Sequence, residues 1–365
     1  MKVLVFGMTE NPGGVESFLM NYYRCMDKEK IQFDFLCNSY EQAAYENEIK
    51  KIGGRVYHIS ARSQNYIRYR KEMEEFFGQH KDEYQAIWVN VCSLANIDYL
   101  KMAKKYGIKR RIIHSHNSQN MDGKFRKLLH DINMHLVDHY ATDFWACSPS
   151  AAKWFYGSKD AIIIRNAIDV NKMAYDESKR KAYRAQLGWN DNYIIGNIGR
   201  FHFQKNQLFL LDVFSSLLQK MPEARLILVG QGEDEKKIKD KIHDLKLEGK
   251  VYLAGIQKDI GGWLSVMDTF LFTSVFEGLS VVALEAQANG IPILASLTAI
   301  SDEAKLNDNV FLLSLERPIM DWVQMICKIK REYMREASEK IRTVFIKNHY
   351  DIDTEVQKLE MLLRI

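Results

Sequence analysis

Short apolar segments alternate with helix-forming segments along the whole chain, and this alternation constrains the fold more than any other feature of the sequence. Apolar runs of strand length that are separated by helical stretches are typical of a parallel sheet covered by helices on both faces. In the first half, the predicted strands are residues 2–7, 33–38, 87–90, 111–117, 144–148 and 162–169. In the second half they are residues 193–200, 226–230, 251–255, 269–274, 292–296 and 310–314.

A charged stretch without a strand pattern, residues 174–186, separates the two series and is the predicted domain linker. The sequence thus predicts an α/β fold of two doubly wound domains, residues 1–172 and 173–347, with a C-terminal helix at about 348–365 that crosses back onto the first domain. A cleft between two such domains brings the carboxyl ends of both sheets to one ligand.

Composition excludes several classes of protein. A net charge of +4 gives no general case for a nucleic-acid partner. No apolar run approaches the roughly 18 residues of a membrane span, and residues 1–14 are interpreted as a first strand and turn, not a signal peptide. The five cysteines are scattered without a Cys-x-x-Cys motif, which favours reduced thiols and a cytoplasmic location.

Basic residues are concentrated in two stretches of the first half. One interpretation is a pair of solvated helix faces; the other is a surface that meets an anionic membrane or substrate. The stretches contain Arg62, Arg68, Arg70, Lys71, Lys101, Lys104, Lys105, Lys109, Arg110 and Arg111.

Residues 272–295 combine the end of a strand, a loop with Glu277 and Gly278, a helix from about Ser280 to Asn289, and a further strand. Ser280 is the predicted N-cap, with a hydroxyl that accepts from the first turn. A helix N-terminus suits an anion because unpaired N–H groups and the positive end of the dipole meet there. Glu285 follows roughly 7.5 Å along the axis, so the two carboxylates flank a site for a ligand with a phosphate in its middle.

Two cations, Arg200 and Lys205, flank the loop after the strand at 193–200. A diphosphate leaving group requires such charges, although cations at loop ends are also common without a ligand. His114 and His116 lie on the same face of one predicted strand, so that one is expected to reach the cleft while the other packs.

The remaining motifs argue against a metal site, kinase chemistry and hydride transfer. His135 and His139 have the i, i+4 spacing of a metal clasp, but the segment lacks the glutamate of a zinc protease and a third ligand, which favours a polar helix face. No Walker loop or nucleophile elbow is present, and Gly196 and Gly199 do not complete a dinucleotide fingerprint, which argues against kinase chemistry and hydride transfer.

Taken together, these features resemble the retaining GT-B glycosyltransferases of family 4, of the bacterial exopolysaccharide and capsule type. The most specific match is Glu277-Gly278-Leu279 with Glu285, the Glu-x7-Glu motif of the family, between two strands. Also matching are Gly13-Gly14, His116, the segment from Asn166 to Asp169, and the Arg200/Lys205 pair. Ala167 stands where the family usually has glycine.

The resemblance implies roles for these residues. Arg200 and Lys205 would hold the diphosphate, Glu277 would contact the donor sugar, and Glu285 would bind the ribose. His116, favoured over His114 because it is nearer the strand end, would approach the reacting sugar. The implied catalytic set is His116, Arg200, Lys205 and Glu277, and the implied donor-binding set is Gly13, Gly14, Asn166, Gly230, Gly255, Gly278, Leu279, Ser280 and Glu285.

The implied reaction moves a sugar from a nucleoside diphosphate sugar, most simply a UDP-sugar, to an acceptor hydroxyl with retention, without a metal ion or another cofactor. The implied partners are the donor, a glycan or lipid-linked saccharide acceptor, and the inner membrane face as a peripheral contact; nucleic acid is not expected. Two alternatives stay open: a nucleotide-sugar epimerase or phosphorylase of the same architecture, and a catalytically silent partner of a transferase.

Overall fold

The computed structural model describes residues 1–118, 123–277 and 279–364, and the chain divides into two compact units. The first unit runs from Met1 to Ala167 and includes the C-terminal segment from Ile352; the second runs from Ile168 to Asp351. Each unit is built on one sheet, and all strand pairs in both sheets are parallel. The predicted fold class, two doubly wound α/β halves, is confirmed.

In its described residues the first unit has a seven-stranded sheet of order β3-β2-β1-β4-β5-β6-β7. The strands are β1 Lys2–Phe6, β2 Gln32–Cys37, β3 Val56–His58, β4 Ala86–Val91, β5 Arg110–Ser115, β6 Asp143–Ala146 and β7 Ile162–Ile163. The helices are α1 Gly14–Cys25, α2 Glu46–Lys51, α3 Tyr66–His80, α4 Asp98–Lys105, α5 Lys124–Leu136, α6 Pro149–Tyr156 and, last in the chain, α15 Ile352–Arg364.

Alternation along β1 shows why this sheet is covered on both faces. Val3 and Val5 enter one core cluster with residues of α1 and α15, whereas Leu4 enters a second cluster with residues of α3, α4 and α6. Successive side chains of a strand point to opposite faces, so an apolar strand without polar interruption needs helices on both sides.

The C-terminal helix α15 packs within the first unit, although the residues that precede it belong to the second. Its buried residues Ile352, Val356, Leu359 and Leu363 recur at spacings of three and four, which puts them on one helix face against the core of α1. The guanidinium of Arg110 also donates to the carbonyls of Leu362 and Leu363, at 2.6 and 2.8 Å, and so binds the last turn of α15.

In its described residues the second unit has a six-stranded sheet of order β10-β9-β8-β11-β12-β13. The strands are β8 Ile194–Ile198, β9 Arg225–Val229, β10 Val251–Gly255, β11 Thr269–Phe272, β12 Ile293–Ser296 and β13 Val310–Leu313. The helices are α7 Val170–Met173, α8 Glu177–Leu187, α9 Gln207–Leu218, α10 Glu235–Asp244, α11 Ile260–Val266, α12 Val281–Ala288, α13 Ile319–Glu332 and α14 Ser338–Lys347.

One strand was missed, and one expectation about local structure was wrong. The three residues of β3 escaped detection because the segment is too short for a periodic pattern. The stretch expected to be a linker, residues 174–186, is largely helix α8 of the second unit. Its charges are not those of a solvated linker: Arg180 and Arg184 pair with Asp268 at 2.5 and 2.7 Å, which fixes α8 beside β11.

No helix among the described residues is both long and apolar enough to span a membrane.

Candidate functional site

The second sheet reverses its winding direction between β8 and β11, because β9 and β10 lie on one side of β8 and β12 and β13 on the far side of β11. The loops that leave the carboxyl ends of β8 and β11 diverge at such a point and leave a crevice, the usual ligand site of open α/β sheets. Both predicted motifs of this half follow these two strands: Arg200 and Lys205 follow β8, and Glu277 follows β11.

Hydrogen bonds join these two loops to each other. The Thr273 hydroxyl donates to the carbonyl of Asn206 at 3.1 Å, and the Val275 amide donates to the carbonyl of Gln204 at 2.7 Å. The Gln204 side chain in turn donates to the carbonyl of Phe276 at 2.9 Å. The backbone on either side of Lys205 and just before Glu277 is therefore held in a fixed geometry.

Lys205 and Glu277 form an ion pair at the centre of this region. The Nζ–Oε1 distance is 2.6 Å, and the two side chains are 18 and 8 % exposed. The lysine stem passes over Gly199, where a Cβ would lie 3.4 Å from it, and its ammonium lies 5.3 Å from the centre of the Phe272 ring. A lysine ammonium has three N–H donors, so the pairing with Glu277 leaves donors for an anionic ligand.

Arg200 contacts a different carboxylate. Its Nε and Nη2 donate to the two oxygens of Glu233, both at 2.9 Å, in a bidentate pair that is largely exposed. His202 lies 3.7 Å from the same carboxylate. The sequence did not indicate Glu233, since one of three consecutive acidic residues after β9, Glu233 to Glu235, carries no spacing signal. Arg200 thus lies on the loop after β8, as predicted, and its guanidinium is bound by Glu233.

Helix α12 begins at Val281 and Ser280 is its N-cap residue, as predicted, but the expected hydroxyl cap is wrong. The Ser280 side chain makes no capping hydrogen bond among the described residues, and it is 8 % exposed. The first-turn N–H groups are therefore not satisfied by this hydroxyl. Leu279 packs as a partly buried side chain against two core clusters. Gly278, a predicted donor-binding residue, lies outside the described residues.

Glu285, on the second turn of α12, is a partly buried carboxylate. Desolvation raises its pKa from 4.5 to about 7, and the positive charge of Lys172 opposes this rise. Its carboxylate makes no hydrogen bond or ion pair with any residue in the described parts of the chain. A charged side chain held in this way is costly unless a ligand supplies the missing donors.

Gly230 and Gly255 end the neighbouring strands β9 and β10, as expected. Gly230 has φ +135°, and a Cβ there would lie 2.0 Å from the carbonyl oxygen of Gly199. Its amide donates to the carbonyl of Gly255 at 2.8 Å. Glycine at position 230 is required by this close approach, which brings the ends of β8, β9 and β10 together.

In the first unit, the two histidines of β5 differ in accessibility. His114 is completely buried, with its ring beside those of Phe18 and Trp88, whereas His116, one residue beyond the strand, is only partly buried. The two rings contact each other with centroids 4.2 Å apart and planes tilted by 38°. This geometry assigns His114 to the core and leaves His116 as the histidine that a ligand can reach.

His116 is a neutral imidazole at physiological pH, because burial lowers its pKa to about 3. Its Nε2 lies 2.9 Å from Oδ1 of Asn90. The Asn90 amide nitrogen donates to the carbonyls of Phe6 and Trp88, which fixes Oδ1 as the acceptor. His116 Nε2 therefore carries the proton. Asn90 was not among the predicted residues; its signal is a polar side chain at the end of an otherwise apolar strand.

The remaining predicted residues of the first unit lie in loops. Gly13 is the N-cap of α1, and its amide donates to the Glu16 carboxylate at 3.0 Å; Gly14 opens the helix with no close neighbour for a Cβ. Asn166 is 6 % exposed, and its Oδ1 accepts no hydrogen bond from the described residues. Ala167 is fully buried without a positive φ, which explains how alanine fits there.

Comparison with known proteins finds similarity to glycosyltransferases. The model of the family Glycosyl transferases group 1 matches residues 179–342, which contain Arg200, Lys205, Glu277 and Glu285. The putative glycosyltransferase EpsF of Bacillus subtilis is 29 % identical over 374 residues, covering 94 % of this chain and 95 % of EpsF. An Escherichia coli UDP-Gal:alpha-D-GlcNAc-diphosphoundecaprenol alpha-1,3-galactosyltransferase is 25 % identical over 205 residues, covering 55 and 53 % of the two chains.

Solved structures agree on the fold. Anabaena Alr3699/HepE in complex with UDP superposes with a TM-score of 0.79 at 19 % identity, over 100 % of both chains. WaaG, a glycosyltransferase of lipopolysaccharide biosynthesis, superposes with a TM-score of 0.68 at 13 % identity, over 99 % of both chains. The chain has the GT-B fold. Residues 179–342 match the model of the group 1 glycosyltransferases, and these findings support a glycosyltransferase enzyme.

Proposed function

We propose that this protein is a retaining glycosyltransferase of family 4 that moves a sugar from a UDP-sugar to a hydroxyl of a growing cell-surface glycan, of the exopolysaccharide or capsule type. The observation that carries the proposal is the Lys205–Glu277 pair, 2.6 Å apart at the switch point of the second sheet and ahead of the α12 N-terminus. An ammonium, a carboxylate and the amides of a helix N-terminus together match the phosphates and hydroxyls of a nucleotide sugar.

On this basis we assign roles to the residues of the second unit. Lys205 binds the diphosphate through its remaining donors, and Glu277 accepts from a sugar hydroxyl. Arg200 exchanges Glu233 for phosphate oxygens, which is feasible because that pair is exposed and exposed ion pairs are weak. Glu285 binds the ribose hydroxyls, while Gly230, Gly255, Gly278, Leu279 and Ser280 shape the donor pocket.

In the first unit we assign His116 to the reacting sugar, with Asn90 as the residue that orients its ring. Gly13 and Gly14 at the start of α1 would lie by the phosphate and acceptor, and Asn166 presents an amide oxygen that the described residues leave unbonded. Because His116 is neutral, it acts through hydrogen bonding and not as a cation.

The proposed chemistry needs no covalent intermediate. The departing phosphate oxygen takes the proton of the acceptor hydroxyl as the new glycosidic bond forms on the same face, so the anomeric configuration is retained. The protein contributes orientation and stabilises the charge on the leaving diphosphate. Lys205 and Arg200 supply positive charge that a divalent metal supplies in other transferases, and we therefore propose turnover without a metal or another cofactor.

The names of the relatives support the choice of substrates. HepE has been solved with UDP and with UDP-glucose, and the E. coli relative uses UDP-Gal and a diphosphoundecaprenol-linked acceptor. We propose by analogy a UDP-sugar donor and a glycan or lipid-linked saccharide acceptor, with the enzyme acting at the cytoplasmic face of the membrane.

The test begins with a screen of nucleotide sugars by thermal stabilisation, because a ligand that binds only the folded state raises its stability. The stabilising donor is then incubated with lipid-linked and soluble saccharides in EDTA, and the anomeric configuration of the product is read by NMR. Lys205→Ala should abolish transfer. The matched control is Lys237→Ala, an exposed lysine of the same unit that pairs with Asp234, and it should retain activity.

Other outcomes would favour the alternatives. A changed donor sugar without any acceptor indicates an epimerase, and a requirement for inorganic phosphate indicates a phosphorylase. Donor binding without turnover for any acceptor indicates a silent partner. Inverted product, or activity lost in EDTA and restored by magnesium, contradicts the proposed mechanism.

A further inference from the structure

A cavity of about 530 Å³ lies within the second unit, away from the candidate donor site. Its wall includes Tyr193, Asp268 and Pro292, which immediately precede strands β8, β11 and β12. Because these strands are parallel, the cavity lies at the amino edge of the sheet, whereas Lys205 and Glu277 follow the carboxyl ends. The length of β8 separates the two edges by roughly 16 Å. The cavity is thus a separate site, with the volume of a small-ligand pocket.

Three guanidinium groups at and behind the wall of this cavity are matched by one carboxylate. Arg180 and Arg184 both pair with Asp268, at 2.5 and 2.7 Å. Arg335 has no carboxylate within 4 Å in the described parts of the chain, and its guanidinium donates to uncharged carbonyl and amide oxygens. Three positive charges against one negative charge leave an excess of two.

The other charged groups at the cavity are paired. Lys330 contacts Glu223 at 2.9 Å, and Glu336 contacts Lys340 at 3.0 Å. Asp308, which also lies 3.6 Å from Lys340, is 92 % exposed and does not line the cavity. Carbonyl groups at the end of α11 accept from the guanidiniums, but they carry no net charge. The excess of positive charge therefore remains.

This excess is energetically unfavourable for the chain alone. Desolvation, together with the neighbouring charge of Arg180, lowers the pKa of Arg335 to about 10. Neutral donors such as the side-chain amides of Asn or Gln would bind the same carbonyls without gathering like charges. Holding α11 in place therefore does not account for three guanidiniums, and an anionic ligand would supply the missing negative charge.

The size of the excess selects among anions. A phosphate monoester carries a charge of about −1.5 to −2 at pH 7, which matches two positive charges. A single carboxylate supplies only half of this. Arginine also binds phosphate oxygens through parallel N–H donors, so that the chemistry of the wall and its charge favour the same kind of ligand.

Aromatic side chains form much of the remaining wall, namely those of Tyr175, Tyr193 and Tyr333. The Arg335 guanidinium lies 4.5 Å from the centre of the Tyr175 ring, and the Lys330 ammonium lies 5.2 Å from that of Tyr193. Rings beside cations offer apolar contact to the organic part of a ligand next to its anionic part. Inorganic phosphate alone would leave most of this surface unused.

We propose that the cavity at the amino edge of the second sheet binds a small organic phosphate, a phosphate monoester of a sugar or of a nucleoside, through Arg180, Lys330 and Arg335. The proposal goes beyond the transferase function. Binding here is independent of turnover, because the donor site lies at the other edge of the sheet.

The test is calorimetry of the full chain at low salt with glucose 6-phosphate and with AMP. At least one of the two should bind with a Kd below about 1 mM, and the one that binds more tightly identifies the organic part. Inorganic phosphate and glucuronate, a sugar with a single negative charge, should bind at least tenfold more weakly. The donor-site variant Lys205→Met with Glu277→Gln should bind the ester as wild type does.

Charge reversal at the mouth of the cavity gives the decisive variant. Lys330→Glu with Met334→Glu changes side chains that are 39 and 87 % exposed, so the melting temperature should change little while affinity falls at least tenfold. Arg335→Gln should also lose at least tenfold. The matched control is Lys236→Glu with Met320→Glu, two side chains of the same unit that are 86 and 40 % exposed and do not line the cavity; it should bind as wild type does.

Four results would overturn the proposal. They are failure of wild type to bind either ester, equally tight binding of inorganic phosphate or glucuronate, unchanged affinity in the charge-reversal variant, and loss of binding in the donor-site variant. The last result would assign the ester to the donor site. If Arg335→Gln does not fold, the charge-reversal variant decides, because its two side chains are exposed.

Discussion

Replacing Glu285 by glutamine should make the protein more stable and bind its nucleotide less well. The folded-state pKa of Glu285 is raised from 4.5 to about 7 by desolvation. Each pKa unit corresponds to about 1.36 kcal/mol, so the ionised carboxylate lowers the free energy of unfolding by up to about 3 kcal/mol. Glutamine keeps the shape of the side chain without this charge.

The sign of the pH dependence follows from the proton count. Between pH 4.5 and about 7, the folded state holds a proton on Glu285 that the unfolded state has released. The stability of wild type should therefore fall as the pH rises through this window and level off above it. Glu285→Gln lacks this loss, so the difference in melting temperature should grow from near zero at pH 4.5 to roughly 5–10 °C at pH 8.

The same substitution should weaken nucleotide binding. A hydrogen bond to a charged group contributes about 1.5–3 kcal/mol, so UDP affinity measured by calorimetry should drop by a factor of roughly 10–100. Glu233→Gln is the control for stability, since that carboxylate is half exposed and should show no comparable pH-dependent gain. If Glu285→Gln is no more stable than wild type at pH 8, the burial of an unpartnered charge is refuted; unchanged UDP affinity refutes the ribose role.

Three further predictions concern the residues that hold the candidate site in its geometry. Lys205→Met should lower the free energy of unfolding, measured in urea, by about 3–5 kcal/mol, because it leaves Glu277 buried without its partner. The double variant Lys205→Met with Glu277→Gln should recover most of this stability. A double variant that is no more stable than the single one would contradict the coupling of the two residues. Gly230→Ala should lower the free energy of unfolding by at least about 3 kcal/mol, because the new Cβ would lie 2.0 Å from a carbonyl oxygen at φ +135°. Gly255→Ala, at φ +66° with open space around the new Cβ, should lower it by only about 1–2 kcal/mol. Equal losses of stability in the two variants would refute the close approach at Gly230. Because the pKa of His116 is lowered to about 3, its titration should be absent from NMR spectra between pH 5 and 8, and a midpoint in that range would contradict the neutral, Asn90-bonded ring.

Much of the fold could be predicted because its signals are local and repetitive. Fully apolar strands with helices between them predict parallel sheets without any knowledge of the tertiary contacts. The errors arose where tertiary contacts decide the outcome. Helix α8 was taken for a linker because Arg180 and Arg184 look like solvent-facing charges, and only the folded sheet brings Asp268 beside them.

The candidate site was predictable to a similar extent. Motif spacing placed Lys205 and Glu277 on the loops that the sheet brings together at 2.6 Å. Spacing could not reveal that Arg200 is held by Glu233, or that Asn90 orients His116, because these partners lie at the ends of neighbouring strands that are far apart in sequence. The choice between His114 and His116 likewise depends on how deeply each side chain is buried. The sequence does not predict this difference, because both residues lie on the same face of one strand.

The central claim is that Lys205 holds the diphosphate of a nucleotide sugar, and comparing UDP with UMP by calorimetry tests it most directly. Wild type should bind UDP roughly 10–100 times more tightly than UMP, since the second phosphate gains about 1.5–3 kcal/mol of charged hydrogen bonds. Lys205→Met with Glu277→Gln, which keeps the fold, should bind the two nucleotides with nearly equal affinity. Equal affinities in wild type, or a UDP preference that survives in the double variant, would contradict the account.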